Sequence, residues 1–95
     1  MTYISGPMTG YADFNRSAFF DTELELNKKG FSCFNPARAD LPAGSTWLDY
    51  MREDIKGLMD CDTIYLLDGW QNSKGATLEL SIAEKLGYIV DFQSE

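Results

Sequence analysis

Residues 62–83 read D-T-I-Y-L-L-D-G-W-Q-N-S-K-G-A-T-L-E-L-S-I-A, and no other stretch limits the possible folds as much. Thr63-Ile64-Tyr65-Leu66-Leu67 is a short apolar run, β-branched and aromatic, as expected of a strand covered on both faces. Asp68-Gly69-Trp70-Gln71-Asn72 breaks that pattern with turn residues. A helix is expected from Ser73, whose hydroxyl can accept from free N–H groups of the first turn. Leu78, Ile82 and Leu86 recur at four-residue steps and form the expected buried stripe. Glu79 falls beside that stripe, within two turns of the helix start. Strand, polar loop and helix start together place ligands at the carboxyl edge of a parallel sheet.

The rest of the chain repeats this alternation. Thr2-Tyr3-Ile4-Ser5 is a strand candidate that runs into Gly6-Pro7-Met8-Thr9-Gly10. A glycine-bearing loop after a first strand is where backbone N–H groups approach phosphates and sugars, although an ordinary tight turn would read the same. Asp13 or Asn15 can cap a helix carrying Phe19, Phe20, Leu24 and Leu26, which ends at Lys28-Lys29-Gly30. Arg16 lies in its first turn, where the helix dipole disfavours a cation; an anionic partner or simple solvation would account for it. Phe31-Ser32-Cys33-Phe34 reads as a second strand, followed by a polar loop over residues 37–46. Ser45 or Thr46 caps a third segment with the stripe Trp47, Met51, Ile55, Leu58 and Met59. Asp54 borders that stripe, so it either opens onto a pocket with a raised pKa or pairs with Arg52 or Lys56. Gly87 ends the last helix, and Tyr88-Ile89-Val90-Asp91-Phe92 is the final strand.

The order β-α-β-α-β-α-β predicts one α/β domain over residues 1–95, with a four-stranded parallel sheet ordered 2-1-3-4. The loops at 6–10 and 68–73 then diverge at the switch point and share one crevice with Glu79 and Asp54. Fifteen acidic against eight basic side chains, a net charge of −7, argue against a nucleic-acid polymer as partner. One small phosphate is not excluded, because a few backbone amides and one arginine suffice for it. No apolar run approaches the ~20 residues of a membrane span, and the N-terminus does not read as a signal peptide. Cys33 and Cys61 read as reduced thiols of a cytosolic protein. The absence of histidine excludes Ser-His-Asp and Cys-His catalysis and histidine-ligated metal sites, and no metal or other cofactor is expected. Acid–base chemistry near neutral pH must come from carboxylates, assisted by Tyr, Lys or water.

Several motifs together resemble the nucleoside 2-deoxyribosyltransferase superfamily, including small phage and bacterial domains placed in it. They are Tyr3-Ile4-Ser5-Gly6-Pro7-Met8, Arg52-Glu53-Asp54-Ile55, Cys61-Asp62-Thr63-Ile64 and Gly75-Ala76-Thr77-Leu78-Glu79-Leu80. They run in order over nearly the whole chain. The resemblance implies a flavodoxin-like fold and cleavage or transfer of the N-glycosidic bond of a nucleoside or nucleotide. It also implies that Glu79 is the nucleophile, that Asp54 assists departure of the base, and that Tyr3 orients the glutamate. Ser73, six residues before Glu79, stands where hydrolases of nucleoside monophosphates in this superfamily carry a serine near the phosphate. Gly6, Pro7, Gly10, Arg16, Asp68 and Gly75 complete the expected substrate-binding set. Asp54 is expected on the more apolar face, protonated, with Glu79 charged. One departure is Ser81, where the superfamily usually has glycine.

Two readings remain at this stage: a glycosidic-bond enzyme, or a non-catalytic nucleotide-binding or partner-inhibiting module of phage origin. A two-fold dimer is also expected, because a domain this small buries a limited fraction of its surface. Tyr11, Trp47, Tyr50 and Trp70 would then cover the interface, line the crevice, or do both.

Overall fold

Thr2, Tyr3, Ile4 and Ser5 are all buried, which requires a strand paired on both edges and covered on both faces. In the computed structural model, which describes residues 1–94, this strand, β1 (Thr2–Ser5), lies inside a sheet. It is joined by β2 (Cys33–Phe34), β3 (Thr63–Leu66) and β4 (Ile89–Phe92). All pairings are parallel and the order is β2-β1-β3-β4. Helices α1 (Arg16–Lys28), α2 (Trp47–Met59) and α3 (Lys74–Lys85) connect the strands. The parallel α/β architecture expected from the alternation, flavodoxin-like as the resemblance implies, is therefore the one observed.

Period-two alternation along β1 divides the core in two. Ile4 packs with Phe19, Leu26, Ala37 and Leu67 on the α1 side. Tyr3 packs with Leu58 of α2, Ala83 of α3, Ile64 and Leu66 on the other side. A capping box opens α2: the Thr46 hydroxyl accepts from the Asp49 N–H, and the Asp49 carboxylate accepts from the Thr46 N–H. Met51 and Leu58 of the expected α2 stripe are buried, whereas Trp47 and Met59 are exposed. Gly57 belongs to the buried face as well. A methyl group there would run into the ring of Phe34, which itself stacks on Tyr3 with centroids 5.5 Å apart.

Three expectations need correction. The buried face of α3 is Ala76, Glu79 and Ala83; Leu78 and Leu86 are exposed and Ile82 is half-buried. The two alanines let the helix lie close to the sheet, and the glutamate between them finds hydrogen-bond partners inside. The second strand is only Cys33–Phe34, with Phe31 exposed. Neither Asp13 nor Asn15 caps α1 through its side chain: residues 13, 14 and 15 are all left-handed, with φ of 49°, 52° and 61°. Instead the Asn15 amide donates to the carbonyl of Pro7 at 3.0 Å, tying the start of α1 to the loop after β1.

Because Phe34 is held between Tyr3 and Gly57, Gly57→Ala is expected to destabilise the protein although alanine is the better helix former. The overpacking cost of about 1–3 kcal/mol exceeds the helix gain of about 1 kcal/mol. Thermal denaturation of this variant should show a Tm lower by several degrees; an unchanged or higher Tm would contradict the packing.

Candidate active site

All four strands run the same way, so the loops after β1 and β3 emerge at one edge of the sheet. Between them opens a cavity of ≈ 890 Å³. Its wall includes Gly6, Pro7, Met8 and Thr9 after β1, and Asn72, Ser73, Lys74 and Gly75 at the start of α3. Gly6 is needed for that layout: a Cβ there would sit 2.8 Å from the Cβ of Leu67, so a larger residue could not leave β1 so close to β3. Tyr11, Trp47 and Tyr50, three of the four aromatics expected at an interface or in the crevice, line the cavity. Trp70 does not; it packs against Phe92, ring centroids 5.7 Å apart.

Glu79 reaches the cavity from α3 and is only 5% exposed. The Tyr3 hydroxyl donates to its Oε2 at 2.6 Å, and the Ser5 hydroxyl donates to its Oε1 at 2.7 Å. Burial pushes its pKa up to about 7; the Tyr3 and Ser5 hydrogen bonds oppose that rise, and the nearby Asp54 adds to it. A solvated helix glutamate paired with Lys74 or Lys85 is therefore not what the chain builds. Lys85 instead donates to the Ser81 hydroxyl at 3.3 Å. The Tyr3 phenol is raised well above its ordinary value by burial and then by the charges of Glu79 and Asp54, so it stays a donor.

Asp54 lines the same cavity from α2. Arg52 pairs with Asp49 and Lys56 with Glu53, so the surface ion pairs open to Asp54 on sequence grounds are not made. Burial, with a contribution from Glu53, lifts its pKa to about 7. The expected order of burial is reversed, however. Asp54 is half-buried and Glu79 almost wholly so. What separates the two carboxyls is hydrogen bonding, since two hydroxyls favour the charged form of Glu79 and none is donated to Asp54 among the described residues.

The cavity brings together Gly6, Pro7, Arg16, Asp54, Ser73, Gly75 and Glu79, with Tyr3 behind the glutamate. Ser73 is occupied in part as the α3 cap, accepting from the Ala76 N–H at 3.1 Å. Gly10 and Asp68 are not among the lining residues. Gly10 forms a left-handed turn, φ 85°, on the exposed side of the loop. The Asp68 N–H donates to the Gln93 side chain at 2.9 Å, which directs it toward the end of β4. Ser5 was not singled out from the sequence, although it lies two residues after Tyr3 on one strand and must share its face. Lys74 was missed as a wall residue too.

The family described as a domain of unknown function (DUF4406) matches residues 1–92. The chain belongs to this family. No curated protein matches it. The whole of β1 to β4, and so both walls of the cavity, falls inside the DUF4406 match. Among the described residues of this DUF4406 chain, no cluster of His, Cys, Asp or Glu could hold a metal ion, and no helix is long and apolar enough to cross a membrane. Cys33 and Cys61 are free.

Two raised carboxyl pKa values have a consequence for stability. Each group binds its proton more tightly folded than unfolded, so its stabilising effect is complete below the unfolded value near 4 and lost as pH rises through about 7. Glu79→Gln removes the larger burial penalty. Its Tm should exceed that of the parent at pH 8, by an amount on the order of 10 °C for a domain of this size, and should converge with it near pH 4. A constant difference across that range would show that Glu79 is not buried as described.

Proposed function

We propose that the protein binds a nucleoside 5′-monophosphate, or the nucleoside itself, and cleaves or transfers its N-glycosidic bond with Glu79 as nucleophile. The observation that carries this reading is a carboxylate held by two hydroxyls at the inner wall of a cavity roomy enough for a nucleotide, beside a second carboxyl of similar pKa. The motif resemblance to nucleoside 2-deoxyribosyltransferases points the same way, with Glu79, Asp54 and Tyr3 at the matching motif positions.

The chemistry divides between the two carboxyls. A Glu79 oxygen attacks the anomeric carbon, and the C–N bond breaks with its electron pair passing to the base. Asp54 donates its proton to that base, lowering the cost of its departure. Water, or a second base, then attacks the anomeric carbon from the opposite side, and the C–O bond to Glu79 breaks to restore the carboxylate. In hydrolysis, Asp54 takes up the proton that the water loses. Tyr3 and Ser5 hold the glutamate ionised and aimed while the aromatics at the mouth exclude water. Arg16 and Ser73 are suited to the phosphate end of the substrate.

Glu79→Gln should abolish release of free base, by on the order of 10³-fold or more, while nucleotide affinity stays within about tenfold. Asp54→Asn should slow substrates with poor leaving bases more than activated ones. The active form has Glu79 charged and Asp54 protonated, so the rate should follow a narrow bell centred near pH 7. Chromatography of base released from a nucleotide panel, with calorimetry of binding, tests these points. Unchanged turnover in Glu79→Gln would remove the covalent mechanism. Binding without turnover in the parent protein would favour the nucleotide-binding module instead.

The same reading takes the protein as a two-fold dimer. Leu86 and Ile89, exposed on the β4 side, support an association there. Sedimentation at micromolar concentration should give twice the 10.7 kDa of the chain; a single 10.7 kDa species rules the dimer out.

A further inference from the structure

Two cations line the cavity, Arg16 and Lys74, and both are exposed, whereas Glu79 is buried. The cavity is therefore positive at its mouth and carboxylic within. Arg16 has a weak local partner, Asp13 Oδ1 at 3.8 Å from its Nε. Lys74 has no carboxylate partner among the described residues, in a chain with fifteen acidic side chains. Its ammonium lies over the ring of Trp47, Nζ 4.4 Å from the centroid, so it bridges the starts of α3 and α2 across the mouth.

We propose that Lys74 is the residue that makes the site select a phosphorylated ligand, its ammonium moving from Trp47 onto a 5′-phosphate when the ligand enters. This inference rests on the nucleotide reading above and adds to it the residue that discriminates phosphate from free hydroxyl. A cation–π contact at an exposed site is weaker than a charge-assisted hydrogen bond to phosphate, so the exchange runs toward the ligand. The flexible four-carbon stem of lysine lets the ammonium swing without movement of α3. Resting on Trp47 also keeps the ammonium away from Glu79, whose carboxylate must stay free of a cation to attack carbon. The separation of charge orients the ligand as well: phosphate at the mouth beside Lys74 and Arg16, and the glycosidic bond inward toward the carboxyls.

The test compares the parent protein with Lys74→Met, which keeps the stem and loses the charge, and with Lys74→Arg. Calorimetry with nucleoside 5′-monophosphates and the matching nucleosides should show the methionine variant losing roughly ten- to hundredfold in monophosphate affinity and under about threefold for the nucleoside. Lys74→Arg should recover most of that loss. In a Trp70→Phe background, Trp47 emission should change with the monophosphate and not with the nucleoside, and the change should disappear in Lys74→Met. Equal loss for both ligand types, or none for the monophosphate, overturns the proposal. Parent protein that binds nucleosides and monophosphates alike, with Lys74→Met unaffected, would leave the nucleotide reading standing and remove this one. If neither ligand type binds but inorganic phosphate still alters Trp47 emission through Lys74, the anion site stands and the nucleoside reading falls; no response to any of the three removes both.

Discussion

The contact between one carboxylate and two hydroxyls of a single strand is what the rest of the structure depends on. Tyr3 and Ser5 project from the same face of β1, and Glu79 descends from α3 to meet both. Each is 5% exposed or less, so none of the three can turn to water for a partner. The contact therefore sets the position of α3 along β1, and Ala76 and Ala83 permit the approach. Apolar side chains in place of all three would leave no polar group to satisfy there, whereas replacing Glu79 alone would strand two buried hydroxyls. The polar cluster is a costly way to attach a helix. It is an economical way to hold a carboxylate at the wall of a cavity with its orientation fixed.

The same edge of the sheet shows how the backbone adapts to that cavity. Gly6 allows the chain to pass against Leu67, and the Asn15 amide binds the Pro7 carbonyl beyond it. Between these anchors three successive residues adopt left-handed conformations. Aspartate and asparagine tolerate that region, but Phe14 does so at a cost of order 1 kcal/mol or more. Phe14 and Arg16 both contribute to the cavity wall. Strain and site coincide there, as is common where a wall is shaped for a ligand instead of for stability.

How far the sequence revealed this can be judged from individual residues. The alternation of apolar runs and capped helices led to the right sheet order because parallel crossovers leave few alternatives. Motif resemblance led to Glu79 and Asp54, which line the cavity, and to Tyr3, which binds Glu79 from behind it. Periodicity misled on α3: Leu78 and Leu86 outweighed two alanines in the pattern, yet helix-to-sheet distance rewards small residues. The same bias hid the depth of Glu79, since a glutamate beside leucines looks like a surface residue. Ser5 was readable from the two-residue repeat of a strand, but only once Tyr3 was known to face the glutamate. Gly10 and Asp68 share loops with true wall residues, and sequence proximity alone cannot tell the two sides of a loop apart.

A chain without histidine has to find its neutral-pH titration elsewhere, and here burial supplies it. Two carboxyl groups of ordinary type are moved to about 7 by desolvation, one on each of two neighbouring helices. Alone, that would leave two similar acids with no assigned roles. Hydroxyl donors on one side only break the symmetry: Tyr3 and Ser5 favour the charged form of Glu79, against its deeper burial and the nearby Asp54 charge, and Asp54 has no such donor among the described residues. On the proposed reading, a nucleophile and an acid would arise from the same residue chemistry through placement. The mouth extends the arrangement: its cations, Arg16 and Lys74, stand apart from the carboxyls and do not neutralise them. That separation is what a ligand with an anionic end and a glycosidic end would require.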